Sequence, residues 1–275
     1  VMLGKLIKHE FKSSAHSVLN IYLAAAITIV IMLLSYAVKI RWISALSTVA
    51  LLIISVLAVV ITIIAVIAGF YKTLYGSQGY LSFTLPVKSG QLLGAKALVS
   101  FIWILLSYII CIGIFVGVYF YVSAKVGENT VENIKMLLQV FGGVSTKAIG
   151  QMIIFFVVSI IMQIAVLIAE IYFSITLANT RAFQKIGAVS AIFIFFGVFV
   201  LMQIVTAVLT TYVPVTLYYD PLAAGGGLAL SFSQSMIQNP TGVNLGLTGL
   251  VFEIIAAAAL FFTTGWLMKN KINVK

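Results

Sequence analysis

A chain of 275 residues with 63% hydrophobic and 8% charged residues, at a mean hydropathy of +1.21, holds more apolar surface than one water-facing core can hide. That composition excludes an ordinary soluble domain and makes lipid the expected solvent for much of the surface. The formal charge of +10 would suggest nucleic acid in a soluble protein, but here the bases are spread over the segments between apolar runs. They read as topology signals and lipid-headgroup contacts, and no nucleic-acid partner is expected.

The chain opens with Met2–Ser17, where Leu3, Leu6, Ile7, Phe11 and Val18 share one side of a helical wheel and Lys5, Lys8, His9, Lys12 and His16 the other. Residues 1–17 therefore read as a basic amphipathic helix lying in the membrane interface. Two roles stay open for it, a positive-inside anchor or a connecting helix that meets a cytoplasmic partner. Apolar runs follow at Val18–Val38, Leu46–Phe70, Leu98–Val122, Ala148–Ala178, Ile186–Leu209 and Gly246–Met268. Each holds at least the ~20 residues that cross ~30 Å of hydrocarbon. Backbone amides cannot stay unpaired in lipid, so the runs must be helices, and no stretch alternates with the period of a barrel strand. The first run begins late and lacks a small-residue cleavage site, so it reads as a span and not as a leader. The expected fold is an all-α integral membrane protein, a single transmembrane domain over residues 1–275 with six spans.

Placing the N-terminus inside puts eleven of the sixteen bases on the cytoplasmic side, among them Lys72, Lys88, Lys96, Arg181 and Lys185. Both termini are then cytoplasmic. All four prolines, Pro86, Pro214, Pro221 and Pro240, fall between runs. The spans thus carry none of the breaks that mark ion sites in many secondary carriers.

Residues 71–97, Tyr71–Ala97, are too polar and Gly-rich to continue the second helix, yet they carry Tyr71, Tyr75, Tyr80, Leu81 and Phe83. A short element presenting these side chains to a protein groove explains them, as does a loop packed on its own bundle. Pro86 ends that element and Ser89 is placed to cap the third helix. The fourth-to-fifth connection, Asn179–Lys185, is short and basic. On the outer side, residues 210–245 hold Tyr212, Pro214, Tyr218, Tyr219 and Pro221 around Asp220, then Gly225–Gly227 and a further apolar stretch. A re-entrant or interfacial element capping the bundle is expected there.

Two carboxylates lie inside spans, Glu170 in the inner half of the fourth and Glu253 in the outer half of the sixth. A charge near the bilayer centre costs at least ~2.5 kcal/mol on insertion scales, which makes both candidates for a substrate pathway. Glu170 shares a helix face with Ser159, Gln163 and Ser174, and thinner polar stripes run through Thr48, Ser55 and Thr62, through Ser100, Ser107 and Cys111, and through Gln203, Thr206 and Thr210. Gln163, Glu170, Gln203 and Glu253 are the pathway candidates, while the hydroxyl stripes read as interhelical hydrogen bonds worth ~0.6 kcal/mol each. No nucleotide loop, metalloprotease motif or nucleophile elbow occurs. The nearest string, Gly90 to Ala97, has the wrong spacing and no hydroxyl after Lys96. The lone Cys111 excludes a disulfide framework and a Cys-rich metal site.

The order Gln78-Gly79-Tyr80-Leu81, Thr84-Leu85-Pro86-Val87, then Lys96 opening the third helix resembles the signature of type-2 (ABCG-like) ABC permeases. The nearest group is that of the small six-helix bacterial permeases that export bacitracin and lantibiotics. The resemblance implies that 71–97 is a coupling segment docking on a separate ABC ATPase through Tyr75, Gln78, Gly79, Tyr80, Leu81 and Phe83. It further implies a second, smaller contact through Arg181 and Phe183. Gln78 stands where that family usually has Glu, so a salt bridge there is replaced at most by a hydrogen bond. On this resemblance ATP and Mg belong to the ATPase and this chain needs no cofactor. A second permease copy, identical or related, completes the pathway in a Gram-positive plasma membrane. The cargo is amphipathic, a peptide antibiotic or a lipid. An ion-coupled carrier or channel, built on an intramembrane charge network, is the alternative.

Overall fold

Each of the six apolar runs forms a helix: α1 Met2–Ala37, α2 Arg41–Leu74, α3 Ser89–Val126, α4 Thr146–Ala178, α5 Val189–Tyr212 and α6 Leu247–Asn270. The structure, a computed structural model, describes residues 2–38, 41–76, 89–126, 146–181, 183, 189–213, 215–219, 229–232 and 243–270. All six helices are long and apolar enough to cross a membrane, and none contains a proline. Their outward faces carry large exposed apolar side chains, such as Leu23 and Ile64 on α1 and α2 and Ile154, Phe193 and Phe262 on α4, α5 and α6. Water would not tolerate so many; lipid requires them.

The helices extend beyond the hydropathic limits, for identifiable reasons. No glycine or proline lies between Lys5 and Val38, so the amphipathic stretch and the first span form one unbroken helix. α2 continues through Tyr71 to Leu74, which corrects the expected break at Tyr71. Its end is a glycine cap. The Tyr75 and Gly76 amides both donate to the Tyr71 carbonyl, at 2.8 and 3.0 Å, and a Cβ on Gly76 would sit 2.8 Å from the Lys72 carbonyl oxygen. α3 begins at Ser89, the residue with the capping signal, so Ser89–Ala97 is helical as well.

The chain divides into two compact units, Val1–Thr130 with Val274–Lys275, and Val131–Asn273. In the first, α1, α2 and α3 pack on one another. Val18, Val99 and Trp103 with Ile7, Tyr22 and Ala65 form one apolar cluster, and Met32, Leu51 and Val118 with Tyr36 and Tyr121 form a second. Gly113 and Gly117 meet no atom within 4 Å of an added Cβ, so this GxxxG pair packs no helix among the described residues.

In the second unit α4 packs on α5 and α6 around Val166, Ala169, Met202 and Ala257. The connection after α5 departs from the all-α expectation. Thr216–Tyr219, Ala229–Ser231 and Val243–Gly246 form strands β1, β2 and β3 of an antiparallel sheet in the order β2-β1-β3. Thr216 lies opposite Ser231 and Gly246, and Tyr218 opposite Ala229 and Asn244. The β1 sequence Thr-Leu-Tyr-Tyr has strand-favouring side chains, but four residues are too few to register as a periodic signal. Residues 220–228 and 233–242, which carry most of the expected re-entrant element, lie outside the described residues. Leu217 and Leu245 seat the sheet against Ala148 and Met152 at the start of α4. The Thr248 hydroxyl accepts from the Val215 amide at 3.1 Å, and the Leu247 amide donates to the Val215 carbonyl at 2.9 Å, fixing where α6 starts.

Candidate functional site

At one end of the first unit, three helices meet on a single ammonium group. Lys96 Nζ on α3 donates to Glu10 Oε1 on α1 at 2.6 Å and to Thr73 Oγ1 on α2 at 2.8 Å. Lys96 is 4% exposed and the Glu10 side chain 21%. Thr73 in turn donates to the Gly69 carbonyl at 2.7 Å, so its hydroxyl is held with an acceptor lone pair toward Lys96. Two turns along α3, Trp103 stacks on Phe11 with centroids 4.6 Å apart and donates Nε1–H to Ser14 Oγ at 2.9 Å. The amphipathic stretch of α1 is thereby docked on α3 through one ion pair, one ring stack and one hydrogen bond. Lys8, His9 and Lys12 stay exposed. Lys96 is thus not the headgroup-facing base that the orientation count takes it to be. Its partner lies 86 residues away, and Thr73 does not stand out in the sequence. The available signal is Glu10 itself, a lone acid within an otherwise cationic stretch.

From this end a seam of hydroxyls runs through the unit. Tyr22 and Ser107 share a hydrogen bond at 2.7 Å, Ser107 donates to Thr62 Oγ1 at 2.9 Å, and Thr62 donates to the Ala58 carbonyl at 2.7 Å. Cys111, half-buried, approaches Ser55 Oγ at 3.8 Å. Farther along, Ser35 and Ser47 share a bond at 2.8 Å and Thr48 donates to Tyr36 at 3.3 Å. The stripes on α2 and α3 are the interhelical bonds expected of them. The α5 stripe is not: Thr210 donates to the Thr206 carbonyl of its own helix. Thr211 likewise donates to the Ala207 carbonyl at 2.8 Å, and the methyl of Thr206 faces α6, 3.3 Å from where a Cβ on Gly249 would sit.

The second unit holds its charges differently. Glu170 on α4 is 4% exposed, and Glu253 on α6 is half-buried. The two lie within electrostatic reach of one another. The sequence places them in opposite halves of their spans, and α4, at 33 residues, is longer than the ~20 residues a bilayer needs. Ser174 donates to the Glu170 main-chain carbonyl at 2.7 Å and not to its carboxylate. Among the described residues no cation and no hydrogen-bond donor is recorded on either carboxylate. Gln163, two turns before Glu170 on α4, and Gln203 on α5 are exposed and do not close around the pair. The described residues contain no cluster of three or more His, Cys, Asp or Glu.

Of the residues expected to couple to an ATPase, Gln78, Gly79, Tyr80, Leu81 and Phe83 lie outside the described residues. Tyr75 sits in the turn ending α2, near Phe70 and Tyr71 at centroid distances of 6.1 and 6.4 Å. The second expected contact is a built turn. Asn179 Nδ2 donates to the Ile175 carbonyl at 2.8 Å and Thr180 Oγ1 to the Leu177 carbonyl at 2.7 Å, which satisfies the last carbonyls of α4. The Phe183 amide then donates to the Thr180 carbonyl at 3.1 Å, leaving Arg181 exposed and Phe183 half-buried.

No family model matches this chain, and no curated protein or solved structure matches it.

Proposed function

We propose that this chain is the membrane-spanning subunit of an ATP-driven exporter, working with separate ABC ATPase subunits and a second permease copy in a bacterial, Gram-positive plasma membrane. The observation that carries the proposal is the stretch Gln78–Val87, whose order resembles the coupling signature of type-2 permeases, together with where its flanking helices end. α2 stops at Leu74 and α3 starts at Ser89, so the stretch joins two long helices. Glu10, Thr73 and Lys96 meet at the same bundle end, so the end of α2 and the start of α3 lie beside the N-terminal part of α1. With six spans the C-terminus returns to that side, and the excess of bases makes it the cytoplasmic one. A docking segment for a cytoplasmic ATPase has to be there. The exposed Arg181 and the Phe183 beside it supply the smaller contact. The cytoplasmic side also suits the basic face of Lys8, His9 and Lys12, which meets anionic headgroups as the interfacial part of α1.

In this reading the pathway forms with the second copy. Glu170 and Glu253 give an otherwise apolar unit its polar contact to an amphipathic cargo, a peptide antibiotic or a lipid. The test is coupling. ATPase should co-purify with the chain, and Tyr80→Ala or Leu81→Ala should cut ATP-driven export at least tenfold while the helices stay folded. Normal export by these variants overturns the proposal. A second reading, an ion-coupled carrier or channel, draws on one observation, two carboxylates within electrostatic reach that form no ion pair among the described residues. Gradient-driven transport by the purified chain alone would establish it.

A further inference from the structure

The contact at the end of the first unit is an odd way to hold three helices together. Apolar clusters already join α1, α2 and α3, with Val18, Val99 and Trp103 in one and Met32, Leu51 and Val118 in the other. Against that background a buried ion pair adds little net stability, because the desolvation of both charges offsets their attraction. Its best-attested use is to fix a register or to hold one of two arrangements. Three details here point to the second use. The pair is tripartite, so moving any one helix breaks a bond to Lys96. It sits where α2 ends and α3 begins, with Thr73 three residues before the Gly76 cap and Lys96 seven residues into α3. And it anchors the part of α1 that is amphipathic and least covered by apolar packing, where Phe11 remains 37% exposed even while stacked on Trp103.

We infer that Glu10, Thr73 and Lys96 form a latch that locks the amphipathic arm of α1 to the facing ends of α2 and α3, so that a displacement of those helix ends is passed to α1. The latch deepens the exporter reading and rests on it for the source of the displacement. Lys96 acts as a positioning residue: it touches no cargo and no nucleotide, and holds an angle between helices. Trp103 is its built-in reporter, because the ring lies against Phe11 and Ser14 only while the arm is docked.

The latch can be read without any partner. In the full chain carrying Trp42→Phe and Trp266→Phe, reconstituted in nanodiscs, Trp103 is the one remaining tryptophan. Glu10→Gln and Lys96→Met should each raise its quenching by acrylamide about two-fold or more, and the swapped pair Glu10→Lys with Lys96→Glu should return it to the parent value. Unchanged quenching in both single variants overturns the latch. So does raised quenching that the swap fails to restore while helix content by circular dichroism matches the parent, since a latch needs only opposite charges. With the co-purified ATPase present, Glu10→Gln should lower permease-stimulated hydrolysis at least three-fold without releasing the ATPase; undiminished stimulation overturns the transmission. If no ATPase binds the parent chain, the exporter reading fails, and the quenching series still decides whether the arm is latched.

Discussion

The two helical units solve the same problem, polar groups in an apolar bundle, in opposite ways. The first unit matches its polar groups to one another across helices: Lys96 to Glu10 and Thr73, Tyr22 to Ser107 to Thr62, Ser35 to Ser47. In the second, hydroxyls such as Ser174 and Thr264 bond to their own helix, and Glu170 and Glu253 lie within electrostatic reach of one another with no ion pair among the described residues. A buried charge that is matched fixes structure; one with no match among the described residues is open to be matched by something that comes and goes. On the exporter reading proposed above, the first unit does the mechanical work and the second meets cargo or ion.

The largest effect should follow from breaking the matched pair. Lys96→Met leaves Glu10 without its cation and should cost about 3–5 kcal/mol in unfolding experiments in mixed micelles, most of it recovered by the charge swap. A loss below about 1 kcal/mol would mean that Glu10 is solvated and the pair unimportant. In the second unit the sign should reverse. Glu170→Met removes a buried carboxylate that forms no ion pair among the described residues, and it should stabilise the chain by about 1–3 kcal/mol while transport falls. Destabilisation instead would reveal a counter-charge and erase the contrast between the units. Phe11→Ala should cost about 0.5–1.5 kcal/mol beyond its lost area through the Trp103 stack, measured by a double-mutant cycle with Trp103→Leu. The smallest effect belongs to the hydroxyl seam, where the Thr62→Val and Ser107→Ala cycle should give a coupling of about 0.6 kcal/mol.

What the sequence makes legible follows from which interactions are local. The six helices could be read from apolar runs alone, because burial in lipid is a property of each run taken singly. So could the bonding role of Ser55, Thr62 and Ser107, since side chains three to four or seven residues apart share a helix face. The helix ends were harder. α1 runs through Ser17 because nothing breaks it, and α2 passes Tyr71 because its stop is the close approach at Gly76. The short sheet after α5 has strands of three and four residues, held by pairing that only the folded chain displays. Lys96 is the clearest case. Counted along the chain it is one more cytoplasmic base; its buried role depends on Glu10, 86 residues earlier. Likewise Glu170 and Glu253 look isolated in the sequence and come within electrostatic reach once α4 packs on α6.

ATP hydrolysis by the complex isolated from its own membrane, in mild detergent, tests the exporter reading most directly. An ATPase should accompany the chain, and its hydrolysis should drive cargo out of proteoliposomes in the parent but not in Tyr80→Ala or Leu81→Ala. A chain that purifies alone and moves an ion down its gradient at full rate would contradict the proposal and hand the Glu170–Glu253 pair to a carrier or channel.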